Sequence, residues 1–336
     1  MSSYINEGTI EMTTFPSICS FAAAGGKMEG EGPLGSCYDY ISEDSTFGES
    51  TWEKAESRLQ QHALECALAK GGISEGEISF IFAGDLLNQC TGSAYSIRAT
   101  NIPFIGLYGA CSTMAESLAL ASVFADNNVG NYIAALTSSH FCSAERQFRF
   151  PETYGGQRTP TAQWTATASG CAVIGQHCQP PYIKAVTFGR ISDLGIKDAN
   201  NMGAAMAPAA YETITSHLKN RNMTISDFDL ILTGDLGFVG SDILHDLFRK
   251  DGIDITGVHN DCGKLIYDHE KQDVHAGGSG CGCGASVLCA HILNRVKNGE
   301  LKNVLFAATG ALMSTTMVQQ GESIPGISHA IHISAE

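Results

Sequence analysis

Cys111 lies in the run Gly109-Ala110-Cys111-Ser112-Thr113, between an apolar strand-like segment (Ile102 to Tyr108) and an apolar helix-like one (Met114 to Ala125). A thiol in the first turn of a buried helix, just after a tight glycine turn, faces backbone N–H groups and the positive end of the helix dipole. That placement makes a nucleophile by lowering the thiol's pKa, or an anion-binding pocket with no chemistry. For the anion, Cys111 with the N–H groups of Ser112 and Thr113 can supply one end. Ser138, Ser139 and His140 end the strand-like segment after the Cys111 helix and return to the same face. His259 follows a strand-like segment of the other half, again on the side of such a sheet where pockets form. Arg146 and Arg149 are spaced to point one way on a helical turn, and either can pair with a ligand carboxylate or with a structural partner. Cys281 and Cys283 sit in a glycine-rich turn that wants small residues, so packing is favoured over chemistry. Asp85 and Asp235 read as turn or helix-cap residues, and Asp193 as a brace between halves.

The elements that must hold these residues come from comparing the chain with itself. Helix-like Trp52 to Ala69 leads into Phe80-Ile81-Phe82-Ala83-Gly84-Asp85-Leu86, and helix-like Ala207 to Leu218 into Leu230-Ile231-Leu232-Thr233-Gly234-Asp235-Leu236. The two Gly-Asp-Leu turns lie 150 residues apart (235 minus 85). A second block, Gly109 to Thr137, aligns without gaps to Cys281 to Thr309 at an offset of 172 (309 minus 137). Each half therefore reads helix, strand, glycine-rich turn, buried helix, strand, the pattern of a parallel sheet covered on both faces. Two copies predict an α/β protein of five layers, α/β/α/β/α, with halves 1–188 and 189–336 related by a pseudo-twofold. The helices starting near Cys111 and Cys283 form its central layer. Residues 141–170 interrupt the repeat as an inserted loop, expected to form a lid or a dimer contact.

Composition narrows the function. The 336 residues, 43% hydrophobic with 37 Gly, belong to a packed α/β protein with many tight turns. A net charge of −15 makes nucleic acid or an anionic membrane a poor bulk partner. Twelve cysteines without a secretory signal or a CxxC pair read mostly as buried reduced thiols, with no metal and no cofactor expected. No stretch reaches the roughly 18 apolar residues of a membrane span, so a soluble or peripheral protein is expected.

The duplicated pattern with a cysteine at the first central helix resembles the thiolase and ketoacyl-synthase superfamily. The stretches AGDLLNQ (Ala83 to Gln89), GACSTMAES (Gly109 to Ser117), TSSHFCSAERQFRFPETYGGQ (Thr137 to Gln157), MAPAA (Met206 to Ala210), HNDCG (His259 to Gly263), AGGSGCGCGAS (Ala276 to Ser286) and ESIPGISH (Glu322 to His329) are similar to the stage V sporulation protein AD family. That resemblance implies a thiolase-like fold, a homodimer, and binding of dipicolinic acid, alone or with calcium. It also implies a part in loading that acid into the developing spore, beside membrane partners of the same sporulation stage at the forespore inner membrane.

Of four thiolase motifs the chain keeps one, the nucleophile at Cys111. Thr233-Gly234-Asp235-Leu236 stands where the Asn-Glu-Ala-Phe motif belongs, Cys281 where the Gly-His-Pro histidine belongs, and Ala308 near the place of the acid/base cysteine. Claisen chemistry needs the donors and the proton carrier as well as the thiolate. The expectation is therefore a non-catalytic binding protein. The alternative is a ketoacyl-synthase-like enzyme that rebuilds its set from Cys111, His140, His259 and Asn260.

Overall fold

The computed structural model describes residues 2–148, 157–176 and 178–336. It opens with the hairpin β1 (Ser3–Asn6) and β2 (Thr9–Glu11). The first half then runs β3 (Ser17–Gly26), the short α1 (Lys27–Gly30), β4 (Tyr40–Ser42), α2 (Trp52–Gly71), β5 (Ile78–Gly84), α3 (Thr91–Ile97) and β6 (Phe104–Gly106). It continues through α4 (Thr113–Asp126), β7 (Tyr132–Ser139), α5 (Phe141–Phe148), β8 (Trp164–Thr165) and β9 (Ala168–Gly175). The second half runs β10 (Tyr182–Phe188), α6 (Met202–Asn220), β11 (Leu230–Thr233), α7 (Gly237–Lys250), β12 (His259–Asp261) and α8 (Cys262–Leu265). After β13 (Gly278–Ser279) come α9 (Cys281–Val287), a π-turn at Leu288–Ile292, α10 (Leu293–Lys297), β14 (Asn303–Ala311), α11 (Thr315–Gln319) and β15 (Gly326–Ser334).

The strand order states the duplication. The first half is ordered β3-β9-β7-β5-β6 and the second β10-β15-β14-β11-β12, joined edge to edge where β10 meets β3 at Tyr182 and Ser17. In each half three strands run parallel (β6-β5-β7 and β12-β11-β14). The neighbouring β9 and β15 run antiparallel to them, a departure from the all-parallel sheet that the repeat pattern suggested. The expected boundary at 188/189 falls after β10, yet β10 pairs along its length with β15. Strand pairing thus groups β10 with the second half.

Five layers follow from which faces are apolar. Helix α4 is buried at Met114, Ala115, Leu118, Ala119 and Ala125, and packs on strands of both halves. Helix α9 is buried throughout and lies on β3, β7 and β9. These two form the inner layer, while α2 covers the outer face of the first sheet and α6 with α7 that of the second. The glycine-rich start of α9 has a steric cause. A Cβ at Gly282 would sit 2.1 Å from the Ala168 carbonyl oxygen, so only glycine lets the helix approach β9 this closely.

Ten of the twelve cysteines are free and six of those are buried, but Cys19 and Cys178 form a disulfide between β3 and the segment after β9. Spacing gave no hint of it, because the two are 159 residues apart and meet only through strand pairing. Among the described residues no helix is long and apolar enough to cross a membrane.

Candidate functional site

Cys111 sits in a 3₁₀ turn, Ala110–Ser112, that leads into α4 and is entered through Ala110 in left-handed backbone (φ 49°). Cys111 is 7% exposed and lines a cleft between the halves. The first half contributes Ala110, Cys111, Glu145 and Phe148 from α5, and Gln163 and Thr165 around β8. The second contributes Asn200 and Met202 at the start of α6, Ser279, and Ala311 and Met313 at the end of β14. The inserted segment thus walls the cleft.

The group facing the Cys111 thiol is the carboxyl of Asp235, which comes from the turn after β11. Asp235 is fully buried and gathers donors from both sides of that turn. Ser279 Oγ and the Gly280 N–H each donate to Oδ2 at 2.9 Å, and Thr309 Oγ1 donates to Oδ1 at 3.0 Å. Burial pushes the Cys111 thiol well above its ordinary pKa, and the Asp235 charge pushes the same way. Burial also raises Asp235, against the pull of Cys111, Gly280, Ser279 and Thr309. A reactive thiol needs a cation or a base beside it. Among the described residues that line the cleft there is no lysine, arginine or histidine.

The helix terminus supplies less than expected. The Ser112 N–H donates to the Gly109 carbonyl at 3.0 Å, and the Thr113 N–H is taken by the Ala110 carbonyl. Ser112 Oγ donates to the Gly109 carbonyl as well, at 2.7 Å. The donors assigned to an anion are therefore spent inside the turn.

A second buried carboxyl, Asp261, braces the Asp235 turn. It accepts from Thr233 Oγ1 at 2.6 Å, from the N–H groups of Leu236 (2.8 Å) and Gly237 (2.9 Å), and from Gly263 N–H at 2.9 Å. Burial lifts Asp261 to about 7, with Asp235 adding to the rise.

A family model, Stage V sporulation protein AD (SpoVAD), matches residues 6–334. The chain belongs to the SpoVAD family. It is 46% identical over 312 residues to stage V sporulation protein AD of Bacillus subtilis (strain 168), covering 93% of this chain and 92% of the relative. Its fold is similar to that of ketoacyl synthase III and OleA. The 3-oxoacyl-[acyl-carrier-protein] synthase III of Aquifex aeolicus superposes with a TM-score of 0.58 over 96% of this chain and 100% of that one, at 12% identity. A variant of Xanthomonas campestris OleA superposes with a TM-score of 0.62 over 96% and 97% of the two chains, at 11% identity.

Within this SpoVAD-family cleft, Cys111 alone of the described residues picked from sequence lines the wall. Ser138 Oγ is turned to the outer face, donating to Glu56 at 3.2 Å and accepting from Gln60. Ser139 Oγ donates to the Ala166 carbonyl at 2.7 Å and accepts from Gly282 N–H. His140 hydrogen-bonds the Ser45 carbonyl through Nε2 at 2.8 Å and lines a different cavity beside Phe141 and Trp164. His259 bonds Thr233 Oγ1 through Nε2 at 2.9 Å and His245 through Nδ1 at 2.8 Å, and burial lowers it to about 3. Arg146 pairs with Glu53 at a surface depression. Arg149 lies outside the described residues. Cys281 donates its thiol to the Ser138 carbonyl at 2.9 Å and packs behind Cys111. The geometry thus does not assemble the rebuilt Cys-His-Asn set.

Asp235 lies in a turn, as read from the sequence, but its place beside Cys111 was not foreseen. The available signal was its position, in the segment aligned with a thiolase motif that serves the nucleophile. Nothing local marked Gln163, Thr165, Asn200 or Met313.

Proposed function

We propose that this chain binds dipicolinate, free or as its calcium chelate, in the Cys111 cleft without chemical change, as part of the acid's passage into the developing spore. What carries the reading is a cleft beside Cys111 in a SpoVAD-family chain, with no cationic side chain among its described lining to activate the thiol. Leu86, Phe148, Met202 and Met313 supply apolar walls for a flat ring. Asn200 supplies an amide group for its carboxylates, while Gln163 and Thr165 donate inward, to the Asp235 and Gly278 carbonyls and to Glu145. Calcium, where the acid carries it, brings the positive charge that the described lining lacks. Transfer to membrane partners at the inner membrane, and a homodimer, complete the reading. An open sheet edge supports the dimer: among the described residues β6 pairs only with β5, and Ile105 (39%) and Tyr108 (43%) are exposed in and just after β6.

The test is titration calorimetry with dipicolinate, with and without calcium, and pyridine-2-carboxylate as the one-carboxylate control. Saturable binding that needs both carboxylates is expected, and Ala199→Phe, at the half-buried rim, should abolish it. Absence of heat and of a thermal shift at millimolar ligand would sink the reading. Labelling of Cys111 by an acyl thioester would then favour the enzyme.

A further inference from the structure

Helix α5 walls the Cys111 cleft with Glu145 and Phe148, and its first residues, Phe141 and Cys142, line a separate cavity beside Met28 and Trp164. A buried acid of another helix holds it there. Glu56 of α2 is fully buried, and Ser143, in the first turn of α5, sets its Oγ 2.6 Å from Glu56 Oε2. Ser138 Oγ lies 3.2 Å from Oε1. A second buried carboxyl, Asp85, stands close by. A Cβ at Gly92 would be 3.1 Å from Asp85 Cγ and 3.3 Å from Glu56 Cδ, so the two carboxyl carbons are at most 6.4 Å apart (3.1 plus 3.3).

The donors around the two acids differ. Asp85 accepts from the N–H groups of Leu87 (2.9 Å) and Ser93 (2.7 Å) and from the Ser93 hydroxyl (2.7 Å). Glu56 meets only the two hydroxyls, and none of the described ion pairs includes either acid. Arg146 of α5 and His140 after β7 serve other groups, Glu53 and the Ser45 carbonyl. Ionising both neighbours without a cation is unfavourable, and backbone N–H groups, which cannot reverse, favour Asp85 as the anion. Ser143 has one proton and two acceptors in reach, Glu56 Oε2 and the His140 carbonyl at 3.1 Å. A proton on Glu56 resolves that conflict, because Oε2–H then donates to Ser143 and Ser143 donates to His140. Burial raises both carboxyls, Glu56 well above its ordinary range, where the Asp85 charge adds to the rise.

We propose that Glu56 is a positioning residue that works as an un-ionised acid, donating to Ser143 and so latching α5 in place as the wall of the cleft. Its effect on dipicolinate rests on the function proposed above. The latch does not, and is read on α5.

Two measurements at pH 7 test it. Infrared difference spectra of the wild type against Glu56→Gln should show one un-ionised carboxyl C=O band that the variant lacks. Absence of that band would overturn the assignment, since Glu56 would then be an anion accepting from both serines. Alkylation of the half-buried Cys142 by iodoacetamide reads the seating of α5. No lysine or arginine lies between Arg98 and Arg146, so one tryptic peptide carries both Cys111 and Cys142, and fragment ions separate them. The Cys142 rate in Glu56→Gln, whose amide keeps a donor, should stay within twofold of the wild type. In Glu56→Leu it should be at least tenfold faster, and Ser143→Ala, which cuts the same bond from the α5 side, should match it. An unchanged rate in Ser143→Ala would overturn the latch even if Glu56→Leu fails to fold. Calorimetry with dipicolinate should show at least a tenfold loss of affinity in Ser143→Ala and none in Glu56→Gln. If the wild type binds no dipicolinate while the band and the Cys142 rates come out as expected, the proposed function falls and the latch stands.

Discussion

Gly310 offers a direct test of whether the Cys111 turn is held by packing from the second half. It lies in β14 with backbone torsions open to any L-residue, so alanine is not excluded by conformation. A Cβ there, however, would stand 2.3 Å from the Gly109 carbonyl oxygen and 3.1 Å from the Ser112 nitrogen. Both are backbone atoms of the Cys111 turn, and no side-chain rotation can relieve them. Overpacking of this kind costs about 1–3 kcal/mol. With about 2.1 cal/mol/K of unfolding entropy per residue, 336 residues give roughly 1.4 °C of Tm per kcal/mol. Gly310→Ala should therefore lower Tm by about 1.5–4 °C. Gly257 is the control, with nothing within 4 Å of its Cβ position and no positive φ. There alanine should gain about 0.4–1 kcal/mol by restricting the unfolded chain, a rise of roughly 0.5–1.5 °C. Scanning calorimetry measures both, and dipicolinate titration should show at least a tenfold loss of affinity in Gly310→Ala alone. Equal Tm shifts with unchanged binding would refute the claim that β14 sets the position of the turn.

Further outcomes follow from buried groups. His332, 4% exposed, is lowered to about 3 by burial, with Arg221 and Lys184 adding to the effect. The unfolded chain takes up its proton below about 6.5 while the folded one does not, so stability falls as pH drops through 6.5 toward 3, by about 2 kcal/mol at pH 5. His332→Gln should reduce the slope of unfolding free energy against pH between 6 and 4 by one proton, and an unchanged slope would show that His332 protonates in place. Asp261 works in the opposite sense. Its folded pKa is raised to about 7, so its contribution grows as pH falls from 7 toward 4. The Cys19–Cys178 disulfide predicts ten titratable thiols in denaturant without reductant and twelve with it. Closing a loop of 159 residues, it should stabilise by about 5 kcal/mol in the chain-entropy model, so Cys178→Ser should melt earlier. Twelve thiols without reductant would remove both expectations.

The architecture was legible because burial repeats. The strand, turn and buried helix around Ala83-Gly84-Asp85 and Thr233-Gly234-Asp235 carry the same pattern in both halves, and pattern decides layers. Cys111 was legible for the same reason, as the first residue type after a glycine turn that can do chemistry. Its surroundings were not, because they are made by contacts across the seam. Asp235 shows only a local turn in the sequence, while the thiol it faces lies 124 residues earlier (235 minus 111). Ser138 and Ser139 illustrate the limit of strand alternation. Period 2 says that they point to opposite faces, and both faces here are buried. It cannot say that Glu56 and Ala166 already hold their hydroxyls. His140 and His259 were read as pocket residues from their place at strand ends. The fold fills those ends with Ser45 and Thr233.

The paired Gly-Asp turns have diverged in what they serve. In the first half Asp85 accepts from Ser93 and Leu87 N–H, near the buried Glu56, and these two acids together with Asp235 bear on Cys281. In the second half Asp235 bears on Cys111. The repeat counterpart of Cys111 is Cys283, which answers to Asp235 and Asp261 of its own half, while Cys111 answers to Asp235 of the other. Neither unit is then self-sufficient. A first half made alone would turn Cys111 toward water, and a second half alone would leave Asp235 buried and one donor short.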